Sequence, residues 1–169
     1  MVKIELLTKD NFNEHSLDTY IRTQNVNKVY RQNNGKYSLV DIPYVEDWNL
    51  EKKRQIAKNI GSDEYISYVA VEDGIVGFIG LIKNLKEEYM ILDMMHVSKS
   101  YRGMGIGRKL FEKGRQSAKK AGAKALYISA CSSEETIAFY KAMGAKLTEN
   151  PIREIADEEP CDLQMICVV

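Results

Sequence analysis

The chain has 169 residues, of which 44% are hydrophobic and 28% charged, with 24 Lys plus Arg balancing 24 Asp plus Glu. That composition excludes a disordered or low-complexity chain. Zero formal charge argues against a nucleic-acid binder that relies on a positive field over its whole surface, and the length suits one domain with a full hydrophobic core.

The opening "MVKIELLTKDNF" has no apolar run behind a basic segment, and no later stretch is apolar for the length of a membrane span, so a cytoplasmic protein is expected. Cys131, Cys161 and Cys167 are odd in number and form no C-x-x-C pair. Such spacing fits small buried hydrophobes in a reducing compartment, and neither a disulfide framework nor a metal site.

In chain order, "VKIELLT" alternates as a first strand, and "NFNEHSLDTYIRTQ" has a pattern open to a helix. A turn-rich, aromatic stretch, "YRQNNGKYSLVDIPYVEDWN", separates it from "LEKKRQIAKNI", whose Leu50, Ile56, Ala57 and Ile60 recur at helical spacing before Gly61. "EYISYVAVEDGIVGFIGLIK" reads as two strands joined at Asp73-Gly74, a strong hairpin signal. "EEYMILDMMHV" is a further strand, apolar enough to be buried on both faces. "RKLFEKGRQSAKKAG" is an amphipathic helix ending at Gly122, "AKALYISA" a strand, "SSEETIAFYKAMG" a short helix, and "AKLTE" and "CDLQMICVV" the last strands. The expected architecture is one α/β domain spanning 1–169, with a mixed, mostly antiparallel sheet flanked by helices and a late strand-helix-strand crossover.

Between strand and basic helix lies "YRGMGIGRKLF", with Gly103, Gly105 and Gly107. A glycine cluster there leaves backbone N–H groups facing one concavity at the positive end of a helix dipole, which is an anion site. The letters fail the Walker A pattern, because Gly107 is followed by Arg108-Lys109, and they fail G-x-G-x-x-G as well. What remains is R-x-x-G-x-G, Arg102 to Gly107. Residues 99–124 carry nine Lys/Arg against the single acid Glu112, an excess suited to several phosphates, although the lysines alone fit a solvated helix face.

"HVSKSYRGMGIGRKLFEKGRQSAKKAG" followed by "ETIAFYKAMGAKL" resembles the two signature segments of the GNAT family of N-acetyltransferases, in the right order and one strand apart. The resemblance covers the chain from about residue 64 onward. It implies the GNAT fold, in which strands splay at the acyl-CoA site, and acetyl-CoA as donor. It also implies that the N–H groups of residues 103 to 108, so Gly103, Met104, Gly105, Ile106, Gly107 and Arg108 with Arg102, hold a pyrophosphate. By the same resemblance the main chain of Met95, His96 and Val97 meets the pantetheine arm, and Tyr140 in "FY" protonates the departing thiolate. Ser133 stands where many members carry an asparagine toward the cofactor.

The attacking amine must lose a proton, which calls for a carboxylate or a carboxylate-held water. Asp93 in the apolar "MILDMMHV" is the first choice for base or amine anchor, since period-2 alternation puts it on one face with Met95 and Val97. Glu88 at the strand's start is the other acid considered, on a position that also suits a solvated side chain. His96 alternates to the opposite face, a place more typical of a structural histidine.

Tyr44, Glu46 and Trp48, with Tyr37, Asp41 and Asp47, make an acidic and aromatic N-terminal region, and "ENPIREIADEEP" adds Glu149, Glu154, Asp157, Glu158 and Glu159. Such surfaces favour a cationic amine. The expected partner is a small-molecule amine acceptor and, at most, a second copy of the chain in a homodimer, with no nucleic acid and no membrane. A non-catalytic acyl-CoA-binding regulatory module and a protein or peptide N-acetyltransferase are the alternatives.

Overall fold

The computed structural model describes residues 1–169, and two of its hairpins turn on dipeptides with positive φ at both residues. Asp73 and Gly74 (φ 49° and 124°) join β4 (Tyr65–Val71) to β5 (Ile75–Ile82), as the Asp-Gly signal predicts. Asn34 and Gly35 (φ 52° and 79°) join β2 (Gln24–Asn33) to β3 (Lys36–Glu46), where the sequence reading had placed an irregular stretch. This hairpin leaves little mark in the sequence because β3 is exposed over most of its length and the two buried residues of β2 lie three apart across a bulge. Only Val26 and Val29 of β2 are buried and none of β3 is, so no period-2 pattern is written into it.

The main sheet has seven strands in the order β1-β4-β5-β6-β7-β9-β8, with β1 at Lys3–Leu6, β6 at Tyr89–Val97, β7 at Ala125–Ala130, β8 at Lys146–Leu147 and β9 at Leu163–Val168. Every pairing is antiparallel except β6 with β7. Parallel neighbours need a crossover, and α2 (Ile106–Lys120) supplies it. α2 and α3 (Glu134–Ala142) pack on one face, where Leu110, Phe111, Leu126, Ile128 and Ile137 form the larger core. The opposite face carries α1 (Leu50–Ile60), capped by Asn49 on the Lys52 N–H, over Phe12, Leu17, Tyr20, Ile56 and Phe78. Farther along it lies the short α4 (Arg153–Glu158), beside Ile91 and Tyr127. No helix is long and apolar enough to cross a membrane.

Residues 11–24 do not form the expected helix. Asn13 Oδ1 accepts from the His15 N–H, Ser16 Oγ from the Asn13 N–H and Asn11 Oδ1 from the Thr8 N–H, each at 2.8 Å. Short polar side chains thus capture the donors a helix would use, and the backbone settles into separate turns. Those turns still deliver Phe12, Leu17 and Tyr20 to the core.

β6 contains the irregularity that matters most. Gly80 pairs with Met94 but Leu81 with Leu92, so Asp93 is an extra residue with no partner on β5. Beyond this bulge the parity changes. Met90 and Leu92 face the α2 core before it, whereas Met95 and Val97 do so after it. The expectation that Asp93 shares a face with Met95 and Val97 is therefore corrected: the bulge removes Asp93 from that alternation and leaves it exposed.

His96 is on the opposite face, 8% exposed, stacked among Tyr20, Phe78 and Trp48. Arg102 Nη2 lies 3.0 Å from its Nε2 and can only donate, so Nε2 is bare and Nδ1–H donates to the Tyr20 hydroxyl oxygen at 2.5 Å. Burial first, then the charges of Arg22 and Arg102, press its pKa from 6.5 to about 2. In that window the unfolded chain binds the extra proton, so this contribution to stability is lost as pH falls below about 6.5. Going from pH 7 to pH 5 should cost about 2 kcal/mol, or roughly 4–8 °C in melting temperature, through this one group. His96→Gln should flatten that dependence in thermal melts, and an unchanged slope would show that another group carries it.

Candidate functional site

β6 keeps its pairing with β5 as far as Gly77↔Val97, but its pairing with β7 ends at Leu92↔Ile128. The two strands part there, and the chain after β6 turns over the opening. A 3-10 turn, Lys99–Tyr101, leads into Gly103 and Gly105, both at φ 78° with open space where a Cβ would stand. Those two are glycine because of the backbone conformation. Gly107 is glycine because of packing, since a Cβ would come within 3.2 Å of Phe139. Gly105 caps α2 without a side chain, and the N–H groups of residues 103 to 108 bond to nothing in the chain. Unpartnered donors at the N-terminus of a 15-residue helix form a built anion cradle.

The cradle opens into a cavity of about 440 Å³ whose walls include Met95, His96, Val97, Arg102, Gly103, Gly105, Ile106, Gly107, Arg108 and Tyr140. Met104, 65% exposed, points outside it, and Ser133 is fully buried. Ser133 Oγ caps α3 by accepting from the Thr136 N–H, and its backbone bridges Val29, so β2 covers it. The cap is Ser133 itself, whereas the neighbouring Ser132 Oγ accepts from Arg31 at 2.9 Å. Arg102 lines the cavity and has a structural task as well. Its guanidinium donates to the Val97 and Thr23 carbonyls at 3.0 and 3.2 Å and to His96, so it ties the end of β6 to the start of the hairpin.

Tyr140 is 7% exposed, packed against Phe111 and Phe139, and its hydroxyl has no hydrogen-bond partner. Burial raises its pKa, with smaller contributions from Cys131 and Asp162, so it holds its proton firmly at neutral pH. Cys131 is half-buried and Cys161 exposed, so of the three cysteines only Cys167 is the expected buried hydrophobe.

On the other face of the sheet a cavity of about 460 Å³ lies between β6, β7 and α4, lined by Asn84, Lys86, Asp93, Ser129 and Glu158 among others. Asp93 is exposed and accepts from the Tyr65 hydroxyl at 2.7 Å, so it is not the buried unpaired acid that its apolar surroundings suggest. Tyr44 stands beside Cys131, its pKa pushed up to about 12 by burial and then by Cys131 and Glu46. Glu46 is paired with Arg22 at 3.0 Å, and Arg22 stacks on Trp48 at 5.0 Å, which joins the base of the hairpin to the His96 cluster. Glu88 is elsewhere. It pairs with Lys124 at 2.7 Å at the opposite end of β6 from the opening.

The sequence reading missed Asp162. It directly precedes β9, and the register Ala130↔Leu163 continues to place it beside Cys131 at the open end of β7. Asp162 Oδ2 accepts from Ser129 Oγ at 3.1 Å, and burial, then Glu159 and Glu46, push its pKa up to about 6. The available signal was an acid at the start of "CDLQMICVV", directly after a segment denser in acids.

The model of the acetyltransferase (GNAT) family matches residues 33–145. No curated relative matches the chain in sequence. Among solved structures, nourseothricin acetyltransferase aligns over 99% of this chain and 98% of its own, with TM-score 0.75 and 16% identity. A protein from Bacillus anthracis str. Ames described as a streptothricin acetyltransferase, in complex with acetyl coenzyme A, aligns over 100% and 99%, with TM-score 0.73 and 21% identity. A GNAT family acetyltransferase from Elizabethkingia anophelis with acetyl-CoA bound aligns over 99% and 98%, with TM-score 0.63 and 16% identity. The mixed sheet, the parted strands and the glycine cradle agree with this match, and the chain belongs to the GNAT family as an acyl-CoA-dependent N-acetyltransferase whose donor is acetyl-CoA.

Proposed function

We propose that the whole chain acts as one domain to move the acetyl group of acetyl-CoA to a primary amine of a small cationic molecule, by direct attack within a ternary complex. One observation carries this reading. The anion cradle and the unpartnered Tyr140 hydroxyl share one cavity, while acids line a second cavity across the same parted strands.

The residues fit the donor, because the free N–H groups of residues 103 to 108 and Arg108 suit a pyrophosphate. Backbone groups of Met95 to Val97 beyond the end of β7 pairing suit an amide-bearing arm, which would lie there as an added strand. Acetyl-CoA supplies a thioester whose carbonyl carbon takes the amine nitrogen and whose sulfur leaves as a thiolate. Tyr140 holds a proton for that sulfur, and its raised pKa keeps the proton in place until a strong base appears. Asp93 anchors the acceptor ammonium, with Glu158 beside it in the second cavity. The Met104 side chain, Ser133 and Glu88 receive no part in this reading. Tyr44, Glu46 and Trp48 form the hairpin wall toward Cys131 and His96.

The acceptor class rests on the acids. Lys86, the cation lining the second cavity, is ion-paired with Glu154, which leaves Asp93 and Glu158 as its free charges. The likeness to nourseothricin and streptothricin acetyltransferases makes a streptothricin-type antibiotic a sound first acceptor beside polyamines and aminoglycosides.

Thiol release from acetyl-CoA should be seen with one of these acceptor classes. Tyr140→Phe should then lower kcat by about 10²-fold or more with little change in acetyl-CoA affinity; full activity in this variant would remove Tyr140 from the chemistry. Retained acetyl-CoA binding without turnover of any amine would favour a regulatory module instead. Asp93→Asn should raise the acceptor KM by roughly tenfold with acetyl-CoA binding unchanged, the loss expected for one charge-assisted contact. An acceptor KM within twofold of the wild type would exclude Asp93 as the anchor.

A further inference from the structure

We propose that Asp162 is a catalytic residue of this transferase: the carboxylate that takes the proton of the acceptor ammonium, from a position at the open end of β7, bonded to Ser129 in the wall of the acidic cavity. The inference rests on the amine-acetylating reading above and names its base.

The placement comes from the sheet. Leu163 pairs with Ala130, so Asp162 stands next to Cys131, at the open end of β7 where β6 has already turned away. It borders the acidic cavity through Ser129. Ser129, which lines the acidic cavity, donates to its Oδ2, and the Tyr140 hydroxyl in the other cavity lies within range of its charge. A chain of bonds fixes this geometry. Tyr127 accepts from the Ile152 N–H at 3.0 Å and donates to Gln164 at 2.6 Å, Gln164 donates to Ser129 at 2.9 Å, and Ser129 donates to Asp162. Oδ1 of Asp162 is left without a bond.

Two features point to a ligand. Tyr140, nine-tenths buried, carries an unpartnered hydroxyl in the donor cavity and feels the charge of Asp162. Asp162 itself is half-buried with no cation to pair with, since the charged groups that reach it are Glu46 and Glu159. Cys131, Tyr44 and Tyr140 are the other titratable groups around it, and none is positive. A partly desolvated carboxylate among acids binds an ammonium well and then accepts its proton more readily than an exposed one. Asp93, exposed and already accepting from Tyr65, is the better anchor and the poorer base.

The step balances. An ammonium N–H bond breaks and its proton goes to Asp162, and the freed pair forms the C–N bond at the thioester carbonyl carbon. The C–S pair departs on sulfur, which takes the Tyr140 proton. The second nitrogen proton restores Tyr140, and Asp162 passes its own to water.

The test is the pH dependence of kcat/KM for the panel amine with the highest turnover, in wild type, Asp162→Asn and Asp162→Glu. Wild-type activity should rise with pH through about 6, because the ionised carboxylate is the active form. The Asn variant should lose that limb and about 10²–10⁴-fold in rate, with acetyl-CoA affinity by calorimetry unchanged, and the Glu variant should recover part of both. An Asn variant that keeps the limb and the rate within twofold overturns the assignment. A readout independent of turnover is the ¹³C carboxyl resonance missing from the Asn variant. It should titrate near 6 in wild type and move on addition of spermidine. Titration near the ordinary value of about 3.9, indifferent to spermidine, overturns the assignment too. If wild type turns over no amine at all, the transferase reading fails, and the carboxyl titration decides on Asp162 by itself.

Discussion

The structure depends on one break in its hydrogen bonding, the parting of β6 from β7 after Leu92↔Ile128. A parallel pair in the middle of a sheet normally keeps its ladder, because unpaired backbone groups are costly to bury. Here the cost is met by exposing them to a cavity, and the bulge at Asp93 makes the bend that opens it. The glycine cradle sits above the opening because the chain leaving β6 must pass over it to begin α2. Tyr140 reaches the opening because α3 begins where β7 ends. Each site element follows from the position of that one gap.

Keeping the gap open requires a rigid edge, and the cluster around His96 provides it. Arg102 bonds the last carbonyl of β6, the Thr23 carbonyl and the His96 ring, while Arg22 stacks on Trp48 and pairs with Glu46. Burial first, and then the repulsion of two guanidinium groups so close, hold His96 neutral. The arrangement fixes the free end of β6 and the base of the β2–β3 hairpin as one body. The hairpin then lies on the start of α3 through the Tyr30 N–H to Ser132 carbonyl bond and the Val29↔Ser133 bridge. Such a clamp needs a guanidinium, whose several donors lie in one plane; a lysine could not span three acceptors in fixed directions.

What was legible in the sequence was whatever is buried on one side or forced by a turn. The Asp73-Gly74 hairpin, the amphipathic α2 and the glycine loop all leave local marks, and they form where expected. The β2–β3 hairpin did not show because β3 is exposed over most of its length and a bulge breaks the alternation of β2, even though Asn34-Gly35 announced its turn. The turns of residues 11–24 did not show because asparagine and serine side chains decided them. At the site, the cradle was readable as a motif, whereas Arg102, Ser133 and Asp162 were not. Their roles depend on which residue of another strand lies opposite, and a single sequence gives letters without register. The bulge illustrates the limit well, since one extra residue reversed the face of every position after it.

The equality of positive and negative charges hides a separation that the fold imposes. Leu126 and Ile128 of β7 face α2, and Tyr127 between them faces α4, so these helices lie on opposite sides of the sheet. The segment 99–124, rich in lysine and arginine, is on the first side, and the acids Glu154, Asp157, Glu158 and Glu159 are on the second. An anion is drawn to one mouth of the gap and a cation to the other, which suits a reaction between a phosphorylated donor and an ammonium acceptor. Net charge therefore said little about partners here, because the local charges of α2 and α4 bear on each mouth, while the basic residues of α1 lie elsewhere on the α4 side, where Arg54 and Lys58 pair with Asp18 and Glu14.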